Sequence, residues 1–147
     1  MHMITSRGVT FPAPTTDEKH EQANGIRLIE AVGGKAYVLG TRRAMACGVC
    51  GAPSTDPSTR QTPGIGDVLG FIPPSPRAAS RALWTAVWIE FKGMGGGLSP
   101  EQVEFRNFCR AAGLPHVVGG LDAVMVFLEA QGWIRPAGIP PEIGGTR

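Results

Sequence analysis

The sequence has little of what would staple a chain or anchor it. Only three of its 147 residues are cysteine (Cys47, Cys50 and Cys109), too few and too odd in number for a disulfide framework. No apolar run approaches the roughly 20 residues that a membrane span needs. The opening residues MHMITSR contain no apolar stretch of the secretory kind, so a cytoplasmic location is expected. Net charge is only +2 and charged residues make up 18%, so the total says less than the distribution. These shortages exclude a collagen, a coiled coil, a membrane protein and a secreted mini-protein.

Glycine and proline are plentiful, at 21 and 13 residues, so much of the chain must be loop. With 42% hydrophobic residues it is still rich enough to bury a core, and its length suits one domain. Charge is unevenly spread. Residues 31–92 carry Lys35, Arg42, Arg43, Arg60, Arg77, Arg81 and Lys92 against Asp56, Asp67 and Glu90. A locally basic middle suits a polyanionic partner, although solvated loops have the same composition.

Residues 1–14 end in Phe-Pro-Ala-Pro without periodicity and read as a flexible arm. The folded domain is expected over 15–135, with 136–147 as a tail. A helix is expected from Thr15 or Thr16 to Val32, where Gly33 and Gly34 stop it; Ala23, Ile26, Ile29 and Val32 recur at helical spacing. Strands are expected over 36–39, 68–72 and 84–92, with a long polar stretch at 40–66 between the first two. In the third strand Val87, Ile89 and Phe91 share one face while Trp88, Glu90 and Lys92 share the other. Ser99, Pro100 and Gln102 supply the N-cap, N1 and N3 signals of a capping box, for a helix running to Gly113. A fourth strand follows at His116–Val118. Asp122 is the expected cap of a last helix to about Gln131, apolar nearly all round and therefore expected to be buried. The order α-β-β-β-α-β-α makes an α/β fold with one mixed sheet flanked by helices.

Three features carry chemistry: Gly64-Ile65-Gly66-Asp67 opening a strand, Glu90-Phe91-Lys92 ending the next, and Gln102 shortly afterwards. If the two strands pair as a hairpin, Asp67 and Glu90 converge. Two carboxylates about 4 Å apart repel by about 4 kcal/mol at an effective dielectric of 20, so both stay ionised only with a cation between them. Oxygen ligands favour Mg2+ or Mn2+ over zinc. Lys92, on the face of Glu90, is placed to orient and activate an attacking water.

Taken together, G-x-x-D at a strand start, then WIEFKG, a glycine-rich turn and LSPEQ at a helix start resemble the VRR-NUC branch of the PD-(D/E)XK nucleases. The resemblance runs from about Glu18 to Trp133 and is densest over 63–102. It implies a restriction-endonuclease-like core and a Mg2+-dependent DNA endonuclease, structure-selective for branched or junction DNA and acting as a homodimer. It assigns Asp67, Glu90 and the Phe91 backbone carbonyl to the metal, and Lys92, Gln102 and a first-helix glutamate to catalysis. Glu18, with Gln22 four residues on, fits that last position, and Glu21 is its competitor; Glu18 is equally explained as N3 of a capping box starting at Thr15. The family usually has proline before the metal-binding aspartate, and here Gly66 stands there.

Arg42, Arg43 and Arg60 in the basic segment are the candidate phosphate contacts. Trp84 and Trp88 are placed either to stack on bases or to cover the sheet edge. Cys47-Gly-Val-Cys50 is half of a common zinc site, with only Cys109, His20 and His116 left to complete it. The alternatives to an enzyme are thus a non-catalytic nucleic-acid-binding module on the same fold and a zinc-containing interaction domain.

Overall fold

The computed structural model describes residues 15–39, 49–50, 64–79 and 81–133, together with the backbone of 4–6 and 9–11. Elements run β1 (Ile4–Ser6), β2 (Val9–Phe11), α1 (Glu18–Ala31), β3 (Lys35–Val38), β4 (Val68–Ile72), β5 (Thr85–Phe91), α2 (Pro100–Ala111), β6 (His116–Gly119) and α3 (Leu121–Ala130). The expected α/β class with one mixed sheet is present. Its strand order is β3-β4-β5-β6, antiparallel for β3–β4 and β4–β5 and parallel for β5–β6.

One face of the sheet makes the core. Alternation along β4 and β5 turns Val68, Ile72, Val87, Ile89 and Phe91 toward Leu28, Ile29 and Val32 of α1 and Leu121, Val124 and Leu128 of α3. Each such side chain, fully buried, contributes about 1.5–3 kcal/mol. The opposite face carries Leu69, Trp88 and Glu90. It is covered by α2 at one corner, where Trp88 meets Phe105 edge-on at 5.3 Å and Phe105 meets His116 at 5.6 Å. Trp88 is half-buried in this contact, as sheet cover, whereas Trp84 stays 53% exposed.

Several expectations change. Within the stretch read as a flexible arm, β1 and β2 pair antiparallel, with Ile4 opposite Phe11. The first helix starts at Glu18, not at Thr15 or Thr16. Asp17 is its N-cap, accepting from the Lys19 and His20 amides, while the Thr15 hydroxyl accepts from the Asp17 amide at 3.2 Å. Glu18 is therefore the first helical residue and not N3 of a box built on Thr15. Asp122 does not cap the last helix: Gly120 occupies that position without a side-chain cap bond. Nor is α3 buried all round, since Val126 is 65% exposed.

The capping box on α2 forms as expected. The Gln102 amide donates to Ser99 Oγ, and Gln102 Oε1 accepts from the Ser99 amide at 2.8 Å. No helix among the described residues is long and apolar enough to cross a membrane.

Candidate active site at the end of the β4–β5 pair

The register that sets Val68 opposite Ile89 continues one step to set Asp67 opposite Glu90. Both side chains then belong to the face that carries Leu69 and Trp88. Asp67 Oδ2 accepts from the Phe91 amide at 3.0 Å, which holds the carboxylate across the strand end. Gly66, standing where the resembled family has proline, packs against the β5 backbone; a Cβ there would come within 3.1 Å of the Ile89 carbonyl oxygen.

Glu90 is 1% exposed. Its Oε1 accepts from Lys92 Nζ at 2.8 Å and also from Gln102 Nε2. Its Oε2 is buried and has no hydrogen-bond partner. Burial raises the Glu90 pKa, with the Asp67 charge adding to it against the opposing Lys92 hydrogen bond. Burial alone would lower the Lys92 pKa, but the hydrogen bond and charge of Glu90 and the charges of Glu18 and Asp67 outweigh it, so the net direction is upward. Lys92 is therefore an ammonium at neutral pH.

Glu18, 52% exposed at the start of α1, approaches Lys92 Nζ to 3.8 Å. Its competitor Glu21 is 1% exposed and is engaged elsewhere: Oε1 accepts from the Thr15 amide at 2.6 Å and Oε2 from the Leu121 amide at 2.8 Å. Of the two first-helix carboxylates, Glu18 is the one brought to Lys92. Asp67, Glu90, Lys92, Gln102 and Glu18 thus form one connected cluster drawn from the starts of α1, β4 and α2 and the end of β5.

No protein-family model, curated protein or solved structure matches this chain.

Formally, three carboxylates face one ammonium, an excess of negative charge that a divalent cation would balance. Among the described residues no group of three or more His, Cys, Asp or Glu side chains is arranged to hold a metal. Two carboxylates with water completing the shell is nevertheless the way Mg2+ is commonly held. The buried, unpartnered Glu90 Oε2 is the atom that such an ion would satisfy.

Arg42, Arg43, Arg60 and Cys47 lie outside the described residues. Cys50 is exposed and Cys109 buried, both as free thiols. His116 packs in β6 against Phe105. The tie made by Glu21 is not foreseen from the sequence. Its one trace there is Gly120, a residue without a capping side chain ahead of an apolar helix.

Proposed function

We propose that this chain is a Mg2+-dependent endonuclease that hydrolyses DNA phosphodiester bonds on a restriction-endonuclease-like core. The observation that carries this reading is the pairing of Asp67 with Glu90 at one strand end, with Lys92 and Gln102 both bonded to Glu90 Oε1 and Oε2 left without a partner.

Asp67 and Glu90 would hold the metal together with the Phe91 carbonyl. The ion, when bound, supplies positive charge where the scissile phosphate gathers negative charge. Lys92, held at the mouth of the cluster, orients the attacking water and stabilises charge on the phosphate oxygens. Gln102 fixes the rotamer of Glu90 from the start of α2. Glu18 holds the Lys92 ammonium from its other side. Mn2+ is expected to replace Mg2+, since both prefer oxygen ligands.

The resemblance further supports action on branched or junction DNA by a homodimer, a substrate distinguished by its shape rather than its base sequence. Arg42, Arg43 and Arg60 are the proposed phosphate contacts. Each one lost should reduce the log–log salt slope of duplex binding by about 0.9.

The test is cleavage of a panel of flaps, forks, four-way junctions and plain duplex by wild type and by Lys92→Ala, with Mg2+ and with Mn2+. Metal-dependent cleavage that disappears in the variant supports the reading. Wild type that binds these DNAs and cuts none with either metal points to the non-catalytic binding module.

A further inference from the structure

We infer that Glu21, a residue outside the cluster just described, is a positioning residue for Lys92. The inference rests on the nuclease reading for its catalytic consequence, and on geometry alone for its structural one.

Lys92 lies just past the end of β5, where the ladder no longer fixes the chain on both sides. Three backbone contacts, made by two segments, hold it there. Its own amide donates to the Gly119 carbonyl at 3.1 Å. Two residues on, the Met94 amide donates to the Thr15 carbonyl at 3.0 Å. Between them Gly93 lies so close to the segment before α1 that a Cβ would collide with the Thr16 carbonyl oxygen. Lys92 is therefore bracketed by residues 15–16 on one side and 119–120 on the other.

Glu21 joins these two brackets. Its buried carboxylate takes the Thr15 amide on one oxygen and the Leu121 amide on the other. The second bond also supplies the cap that α3 lacks from its own sequence, because Gly120 has no side chain. Gly120 is required in turn, since a Cβ there would collide with Glu21 Oε2. A cavity of about 410 Å³ opens at this junction, lined by Thr15, Glu21, Lys92, Gly93, Gly119 and Gly120 among others. Lys92 lines this space, and the direction in which its side chain leaves the strand end depends on where the brackets hold its backbone.

A carboxylate is needed because both neighbours are donors. Glutamine presents one oxygen and one NH2, so one of the two amides meets another donor. Leucine keeps much of the volume and loses both acceptors. The bracket loosens progressively from wild type to Glu21→Gln to Glu21→Leu, and the Lys92 ammonium leaves Glu90 to the same degree.

The experiment compares the three full-length proteins by crystal structure, by thermal melting and by kcat and KM for Mg2+-dependent cleavage of duplex DNA. Lys92 Nζ, 2.8 Å from Glu90 Oε1 in the wild type, is expected beyond hydrogen-bond distance in Glu21→Leu. Its kcat is expected to fall by about tenfold or more, the scale on which small misplacements of a reacting group act, with KM changed less than about twofold. Glu21→Gln should fall between, and it replaces Glu21→Leu as the deciding variant if the latter does not fold. Lys92 remaining on Glu90 in the deciding variant, or an unchanged kcat, overturns the inference. If wild type cleaves no DNA, the nuclease reading fails by itself, and the position of Lys92 in the crystals still decides the role of Glu21.

Discussion

Gln102 binds Ser99 and Glu90 with opposite ends of one amide: its oxygen accepts from the Ser99 backbone at 2.8 Å, and its nitrogen donates to Glu90 Oε1. Helix cap and site contact, read separately from the capping signals and from the resemblance, are one arrangement here. Gln102→Glu keeps the cap acceptor but turns an oxygen toward Glu90. The added charge suits a helix N-terminus by a few tenths of a kcal/mol, yet facing a buried carboxylate without a proton between them costs about 1–3 kcal/mol. The variant should melt below wild type in the absence of metal and cleave poorly with Mg2+. Melting and cleavage both at wild-type values would show that the bond to Glu90 is not made in solution.

Asp67→Asn should separate stability from activity. The Asp67 charge raises the Glu90 pKa, second to burial among the upward influences, so removing it relieves a repulsion in the metal-free protein. The substitution leaves a side-chain carbonyl that can still accept from the Phe91 amide. Metal-free Asp67→Asn should melt no lower than wild type, because the relieved repulsion with Glu90 is set against a lost attraction to Lys92, and should lose Mg2+-dependent cleavage. Calorimetry with and without Mg2+ reads both sides, since the wild type should be stabilised by the ion and the variant much less. A lower melting point together with full cleavage removes Asp67 from the site.

Glu18→Gln tests the first-helix carboxylate. With Glu18 52% exposed and 3.8 Å from Lys92, its ion pair adds little to stability, as is usual at a surface. The melting temperature should stay within a degree or so while cleavage falls. Unchanged cleavage under both Mg2+ and Mn2+ leaves Glu18 with no part in the reaction.

His116 should give the protein an acid-sensitive component. Burial lowers its pKa below the ordinary 6.5, and the Arg106 charge lowers it further; its Nδ1 is buried without a partner. Between the two pKa values the unfolded chain holds a proton that the folded one refuses, so stability rises with pH across that window. The contribution is complete above about 6.5 and lost progressively as pH falls toward the lowered folded value. Urea midpoints from about pH 7.5 to 5, the range that brackets histidine titration, should fall more steeply for wild type than for His116→Phe. Parallel curves would mean that His116 is protonated alike in both states.

How much of this is legible in the sequence depends on how far apart the determining residues lie. The α2 cap is readable because Ser99, Pro100 and Gln102 are neighbours and their signals agree. Period-two alternation sets Glu90 on the face opposite to Val87, Ile89 and Phe91, and the β4–β5 register then brings Asp67 to it. The start of α1 is not readable, because Thr15, Thr16 and Asp17 are all competent caps. The contact of Thr15 with Glu21 and Met94 takes Thr15 out of that competition. The start of α3 is less readable still: its cap comes from a residue 100 positions earlier, and no local pattern encodes that. The β1–β2 pairing lacks a recognisable signal because each strand has only three residues.

The single parallel pair in the sheet sets an order on assembly. β4 and β5 meet across residues 73–84, but β6 reaches β5 only after the chain has passed through α2, and the longer closure is entropically the costlier. On a ribosome, Asp67 and Glu90 emerge before Gln102 and before the Gly119 carbonyl that anchors Lys92. The nascent chain can therefore bring its two carboxylates and Lys92 together before it owns the groups that fix Glu90 and aim Lys92. Under the proposed function, cleavage would come into being only when β6 docks, and a chain ending before α2 would carry the acidic pair without Gln102 or the Gly119 anchor.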